Sequence, residues 1–536
     1  MKPSTWRPGK DRRAERLAGP CGRAVAQQHR SVAVVGGGIA GLAAATALVE
    51  RGIEVTLLER ELQLGGRVRS WRVRHGPDEV AMSRGFHAFF RQYYNLRALL
   101  RRIDPGLTRL RPVEDYPLRS STGQMDRFAR IPRTPPWSVA GFVAASPSFR
   151  FTDLARVDIG QALGLLDVDF PRTFHDYDGV SAADFLDRLR FPDRARHLAL
   201  EVFARSFFAE PEDFGAGELI AMFHSYFVGS AEGLLFDVPE DDYDTSLWQP
   251  LGSYLRRRGA TVHLGAKVTG IDMNQPAVRV DWAPWGAGAD AGVGRPGHTT
   301  VDAVVVAGDP RSLPELMGER TVGIDQHWRE SVQRVRTAPP FAVWRIWLDR
   351  PLAADRPVFL GTTGYGPLDN VSVVDRFEAG ASRWAEQRAG AVIELHAYAL
   401  PTYPDAAEAA LLRRQLWAGL VQVYPEAWSA RVLFDEWRVE RDCVLVTPDR
   451  WADRPTVETP DPRMMLAGDA VRTDLPVALM ERAATTGFQA ANALLAGWGI
   501  RGHDLWSVPR RSRHAWPGRL RRLLDQPGNS PRRRSR

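Results

Sequence analysis

Three glycines at a fixed spacing are the first residues whose types point to chemistry. Gly36, Gly38 and Gly41 form G-x-G-x-x-G within Gly36-Gly37-Gly38-Ile39-Ala40-Gly41. Between a strand and a helix, such a run holds a dinucleotide. Gly36 permits the tight turn, Gly38 lets backbone approach a pyrophosphate, and Gly41 lets the helix pack on the strand. Ala40, small and inside the run, joins them as a cofactor-binding residue. The helix N-terminus offers unpaired N–H groups and partial positive charge to phosphates. Glu59 follows Gly41 by eighteen residues. Its carboxylate suits a ribose hydroxyl pair and repels a 2′-phosphate, which disfavours NADP.

The elements that must carry these residues are legible around them. Residues 32–35 read as a short apolar strand, 42–49 as a small-residue helix ended by Gly52, and 54–58 as the second strand. The nearly all-apolar stretch 31–49, with Arg12-Arg13 upstream, imitates an export signal or a membrane span. Polar residues 14–30 separate the arginines from it, and the glycine cluster splits it where a strand would turn into a helix. The sequence therefore predicts neither a signal nor a span, and a cytoplasmic protein.

The chain has 536 residues, enough for two interleaved domains. Two cysteines, Cys21 and Cys443, exclude a disulfide framework and a cysteine-based metal site; no metal is expected. The formal charge of +7 is concentrated at the ends: +6 over 1–30 and +9 over 501–536, against −8 between them. These ends read as basic, disordered, solvated tails that can be drawn to an anionic membrane face. No nucleic-acid-binding module accompanies them. Arginine carries almost all the positive charge; Lys2, Lys10 and Lys267 are the only lysines.

Arg60 and then Gly65-Gly66-Arg67 follow Glu59, giving E-R-x(4)-G-G-R. This arrangement resembles the extended signature of the flavin amine oxidase and carotene desaturase superfamily. The resemblance implies FAD, with Arg60, Gly65, Gly66 and Arg67 near the cofactor. Segment 259–271 reads as a strand pair around a turn; in the superfamily the valine here, Val268, packs by the adenine. Segment 301–308 reads as a buried strand. Ala467-Gly468-Asp469 resembles the second FAD signature, in which the aspartate meets the ribityl chain or pyrophosphate. A long helix is predicted from about 476 to 498, capped by Asp474, with Met480 and Glu481 near its start and aimed at the flavin. The fold class is α/β. A Rossmann-type FAD-binding domain, split into 31–85, 246–320 and 436–500, interleaves with an α+β substrate domain, 86–245 and 321–435. The tails are 1–30 and 501–536.

The intervening segments are rich in Phe, Trp and Leu, as in Phe203-Ala204-Arg205-Ser206-Phe207-Phe208, which suits a long apolar tunnel. Residues 82–95, Tyr116-Pro117-Leu118-Arg119, 133–137, 232–239 and 474–484 together resemble the actinobacterial β-carotene desaturase/methylases, the isorenieratene synthases. The resemblance covers about 31–500. It implies a hydrophobic carotenoid substrate and aromatisation of the β-carotene end rings by desaturation and 1,2-methyl migration. Arg84, His87 and Glu481 are the catalytic candidates, His87 as proton acceptor. The alternatives are another FAD-dependent carotene desaturase or isomerase, or a flavin amine oxidase. Those amine oxidases commonly place a lysine near the flavin and an aromatic pair beside it; only Lys267 lies outside the N-terminal tail, and no Tyr or Trp occurs between Asp469 and Gly487.

Overall fold

The computed structural model describes residues 11–129, 131–135, 137–147, 157–190, 207–286, 296–512 and 516–524. Residues 203–206 of the aromatic-rich segment, Pro136, and the outermost parts of both predicted tails lie outside these.

A five-stranded, wholly parallel sheet carries the glycine motif. Its order is Thr261–His263, Glu54–Leu58, Ser31–Val35, Ala303–Val306 and Met464–Leu466. Runs such as Val32-Ala33-Val34-Val35 are buried on both faces, as a parallel sheet with helix-covered faces requires. The helix Ile39–Val49 is buried all round. It packs against the helix Leu479–Gly497 so closely that a Cβ on Gly487 would overlap the Ala40 carbonyl oxygen.

Of the remaining sheets, two have four strands or more. Ala266–Asp272 lies antiparallel to Val278–Pro284, which pairs with Gly297–Val301; Thr321–Val322 joins parallel on the other side. The largest sheet has seven strands, ordered Val432–Glu440, Phe341–Leu348, Ala391–Ala397, Asn370–Val373, Phe359–Thr363, Leu118–Ser120 and Met125–Asp126. Every neighbouring pair is antiparallel except Phe359–Thr363 with Leu118–Ser120. Phe341–Leu348 and Ala391–Ala397 are buried along their whole length. The helix Ala406–Val423 and the helix Ala379–Arg388 contribute to their separate apolar clusters.

Several expectations need correction. Residues 11–30 and 501–512 are not free tails. Glu15–Leu17 pairs antiparallel with Leu505–Ser507, Arg23 bridges to Ile500, and Trp506 and Val508 pack on Tyr94. These basic stretches also carry apolar residues, Leu17, Leu505 and Trp506 among them, that fold them back onto the body of the protein. Segment 259–271 does hold two strands around a turn, but they part company: Thr261–His263 joins the parallel sheet while Ala266–Asp272 leaves for the second one. In 301–308 the strand is Ala303–Val306, and Val301 ends the preceding strand. The late helix begins at Leu479, not 476, and its N-cap is Ala478 without a side-chain cap, so Asp474 caps nothing there. The strand Val432–Glu440 runs through the predicted boundary at 435/436 and belongs to the seven-stranded sheet.

Candidate functional site

One cavity is lined by residues from the parallel sheet and from the seven-stranded sheet. Its first wall is the glycine turn. Gly36 sits at φ +101, and a Cβ there would lie 2.5 Å from the Ala307 carbonyl oxygen. Gly38 is different: a Cβ there would meet only the Gly66 Cα, at 3.7 Å, and would otherwise occupy open space. Gly38 and Gly65 bridge, so the two glycine segments lie side by side.

Two helices start at this cavity, Ile39–Val49 and Leu479–Gly497, and neither has a side-chain cap. Ile39, Ala40, Leu479 and Met480 line it. An uncapped helix start carries N–H groups without intrahelical partners and the positive end of the dipole. Two of them on one cavity, beside a glycine turn with open space over Gly38, fit a dinucleotide's phosphates and the electron-rich edge of a flavin.

Charged groups around the cradle are paired. Arg67 reaches Asp469 at 2.5 Å and also donates to the Asp442 carbonyl oxygen. Arg60 reaches Asp309 at 3.0 Å. Glu59 is buried; burial pushes its carboxyl up, against the N–H groups of Glu61 and Gly37 that donate to it and favour the carboxylate. Val268 and Lys267 line the cavity too, with Lys267 Nζ 4.0 Å from the centre of the Trp285 ring.

The other wall is aromatic. Tyr116 stacks on Phe128 at 4.7 Å, Phe86 lies 4.8 Å from Phe359, and Phe236 lies 4.8 Å from Tyr116. The phenol tips are tied off: Tyr116 donates to the Leu234 carbonyl at 2.7 Å, and the Tyr93 and Tyr226 hydroxyls bond each other at 2.7 Å. Polar ends held by protein leave ring faces toward the cavity, a surface suited to hydrocarbon.

Of the residues singled out in the sequence, all but Gly41 and Glu481 line this cavity. Gly41 acts in packing, since a Cβ there would overlap the Gly36 carbonyl oxygen. Glu481 is a correction. Its two carboxyl oxygens accept from the backbone N–H groups of Asn95 and Leu96, at 2.8 and 2.9 Å, and so close the start of the helix Tyr94–Leu100. A group committed to another helix and absent from the cavity wall does not meet the reacting atoms. Helix periodicity could not show which way position 481 turns, because the helix is buried on nearly every side.

Arg84 lines the cavity but grips both oxygens of Asp442, in a pair almost wholly buried. Its guanidinium is thereby neutralised and held. His87 is pinned as well. Its Nδ1 lies 2.8 Å from the Gly85 carbonyl, which can only accept, so Nδ1 carries the proton and Nε2 holds the lone pair. Burial, with Arg84 nearby, pushes its pKa down to about 4, and the ring is neutral at pH 7. Burial pushes the Cys443 thiol up to about 12.

Residues missed in the sequence also line the cavity, among them Asn370, His396, Tyr398 and Asp442. Glu394, His396 and Tyr398 alternate at a two-residue spacing, the period of one strand face. That spacing was the available signal.

The cavity's two walls agree with what the chain resembles. Residues 39–495 match the model of the flavin containing amine oxidoreductases. The chain belongs to that family. It is an FAD-dependent oxidoreductase with the α/β fold described above. Over 528 residues it is 53% identical to a carotenoid phi-ring synthase of Streptomyces griseus, covering 97% of this chain and 98% of that one. A carotenoid phi-ring synthase of Chlorobaculum tepidum is 27% identical, over 93% of this chain and 92% of its own. Among solved structures, putrescine oxidase bound to putrescine aligns with a TM-score of 0.60 at 16% identity, covering 88% of this chain and 99% of that one. Cyclohexylamine oxidase from Brevibacterium oxydans aligns with 0.61 at 14% identity, over 88% and 99%. At such identities the likeness is one of fold. Among the described residues no helix is long and apolar enough to cross a membrane.

Proposed function

We propose that this chain modifies a carotenoid, converting the trimethylcyclohexene end ring of β-carotene into a trimethylbenzene ring, with isorenieratene the product when both rings react. The observation that carries this reading is the single cavity that joins a phosphate cradle to a chamber of aromatic faces. The full-length relative named for making a carotenoid ring supports it.

FAD would be held by Gly36, Gly38, Ala40, Glu59, Arg60 and Val268, together with Gly65, Gly66, Arg67, Gly468, Asp469 and Met480, all of which line the cavity. When bound, it supplies the two-electron oxidations. The chain's own residues do the rest. Phe86, Phe236 and Phe359 hold the end ring and the first polyene carbons and keep water out. Their faces stabilise positive charge as it develops on the ring. A methyl group on the geminal carbon then moves to the neighbouring carbon, and proton loss restores neutrality. Each ring loses four hydrogens and no carbon. Arg84, fixed by Asp442, orients the wall beside the cradle and does not exchange protons. The substrate is a membrane solute, and both chain ends are basic, so the protein acts from the cytoplasmic side at the inner membrane face.

The test is expression in a bacterium that makes β-carotene, with pigment read by absorbance and mass. The expected product is lighter by four hydrogens per ring and takes no label from labelled methionine. Untouched β-carotene together with oxidation of lycopene or of an amine would sink the reading.

A further inference from the structure

We propose that Tyr398, His396 and Glu394 form a proton relay in which Tyr398 is the catalytic base that takes the ring proton. The inference rests on the ring-aromatisation reading above, which requires two protons to leave each ring.

The geometry fixes the direction of the relay. Glu394 receives Arg345 at 2.9 Å, and Arg345 in turn donates to Ser83 and to the Ala81 carbonyl. Burial alone would raise the Glu394 carboxyl, but Arg345 and His396 pull it down to about 2, so it is ionised and can only accept. His396 Nε2 lies 2.7 Å from Glu394 Oε1 and must carry the proton there. In the neutral ring Nδ1 is then bare, and it lies 2.7 Å from the Tyr398 hydroxyl. Asn370 Nδ2 donates to that same hydroxyl oxygen at 2.6 Å, leaving the phenol proton directed at His396. Tyr398, His396 and Asn370 all line the cavity.

The step balances. A C–H bond of the ring cation breaks, and its electron pair becomes the new ring double bond. The proton goes to the Tyr398 oxygen as the phenol's own proton passes to His396 Nδ1. The products are a neutral ring, a neutral phenol and an imidazolium bonded to the Glu394 carboxylate.

His87 faces the same cavity but lacks this support. Its Nδ1–H is bonded to a carbonyl, and an imidazolium there would be buried beside Arg84. An imidazolium at 396 has a carboxylate behind it. A buried cation with a hydrogen-bonded carboxylate is far less costly than one without, so the proton goes to 396.

The test compares wild type, Tyr398→Phe and His396→Gln as FAD-loaded enzymes with β-carotene. Equal FAD content and equal melting temperature are the controls for folding. Tyr398→Phe is expected to lower kcat by ~10²-fold or more with KM little changed, and His396→Gln to do the same. If Tyr398→Phe turns over at the wild-type rate while wild type makes the aromatic product, the relay is wrong and the ring reaction stands. If both variants instead raise KM at unchanged kcat, the two residues bind substrate and carry no proton. If wild type leaves β-carotene untouched, the ring reaction falls and the relay with it.

Discussion

Gly38 and Gly41 belong to one motif, yet alanine at each should fail in a different way. At Gly38 the backbone is extended, with φ −75 and ψ −179, which any residue adopts. The added methyl would meet only the Gly66 Cα, at an ordinary 3.7 Å. Gly38→Ala should therefore fold, at a cost of about 1 kcal/mol or less for the poorer cap. The methyl stands where a pyrophosphate must approach, however. Displacing it from two backbone N–H donors forfeits charge-assisted bonds of ~1.5–3 kcal/mol each, about 3–6 kcal/mol together. That is on the order of 10²–10⁴ in the Kd for FAD. At Gly41 the methyl would overlap the Gly36 carbonyl oxygen and press on Val34. Forcing the helix off the strand costs ~1–3 kcal/mol or more, so Gly41→Ala should lower the stability of the apoprotein itself. The assays are titration calorimetry with FAD and thermal unfolding of both apoproteins. A Gly38→Ala protein that binds FAD as tightly as wild type would refute the placement of the pyrophosphate. A Gly41→Ala apoprotein as stable as wild type would refute the packing argument.

Arg84→Ala should destabilise the fold by ~3–5 kcal/mol, because it leaves Asp442 buried without its partner; adding Asp442→Asn should recover much of the loss in a denaturant titration, and no recovery would mean Arg84 acts elsewhere. His87→Gln should keep turnover within about tenfold of wild type, since a neutral ring with no carboxylate behind it is not the base; a loss of the 10²–10⁴ typical of a positioned acid–base group would reverse that assignment. Either oxygen of the Glu481 carboxyl can accept, even when the group is protonated, whereas Glu481→Gln sets an NH2 group that cannot accept against one of the two backbone N–H groups, so it should cost ~1–3 kcal/mol by thermal or chemical unfolding. Burial raises the Glu481 carboxyl from 4.5 to about 8, so the stability from its bound proton is full below about pH 4.5 and is lost as pH rises through 8. Wild type should lose stability over that window more steeply than Glu481→Gln, and parallel slopes would contradict the assignment.

What the sequence by itself determined was local in origin. The G-x-G-x-x-G run, its flanking strands and Glu59 lie within thirty residues, and each part has one conformational use, so type and spacing sufficed. Gly65-Gly66-Arg67 and Gly468-Asp469 were read only through their resemblance to the signatures of the family, and they line the same cavity. Tertiary structure decided what depends on direction and distant partners. Glu481 sits on a helix buried on almost every face, where sequence period cannot distinguish a cavity from another helix's N-terminus. Arg84 reads as a free cation until Asp442, 358 positions away, arrives beside it. The basic ends look solvated until Glu15–Leu17 meets Leu505–Ser507, nearly five hundred residues on. The relay shows both halves. Glu394 and His396 share one face of the strand Ala391–Ala397 and Tyr398 follows just past its end at the same two-residue spacing, but the direction of proton movement comes from Arg345 and Asn370 on neighbouring strands. A charge acquires its chemical role from what surrounds it, and only the folded sheet sets those surroundings.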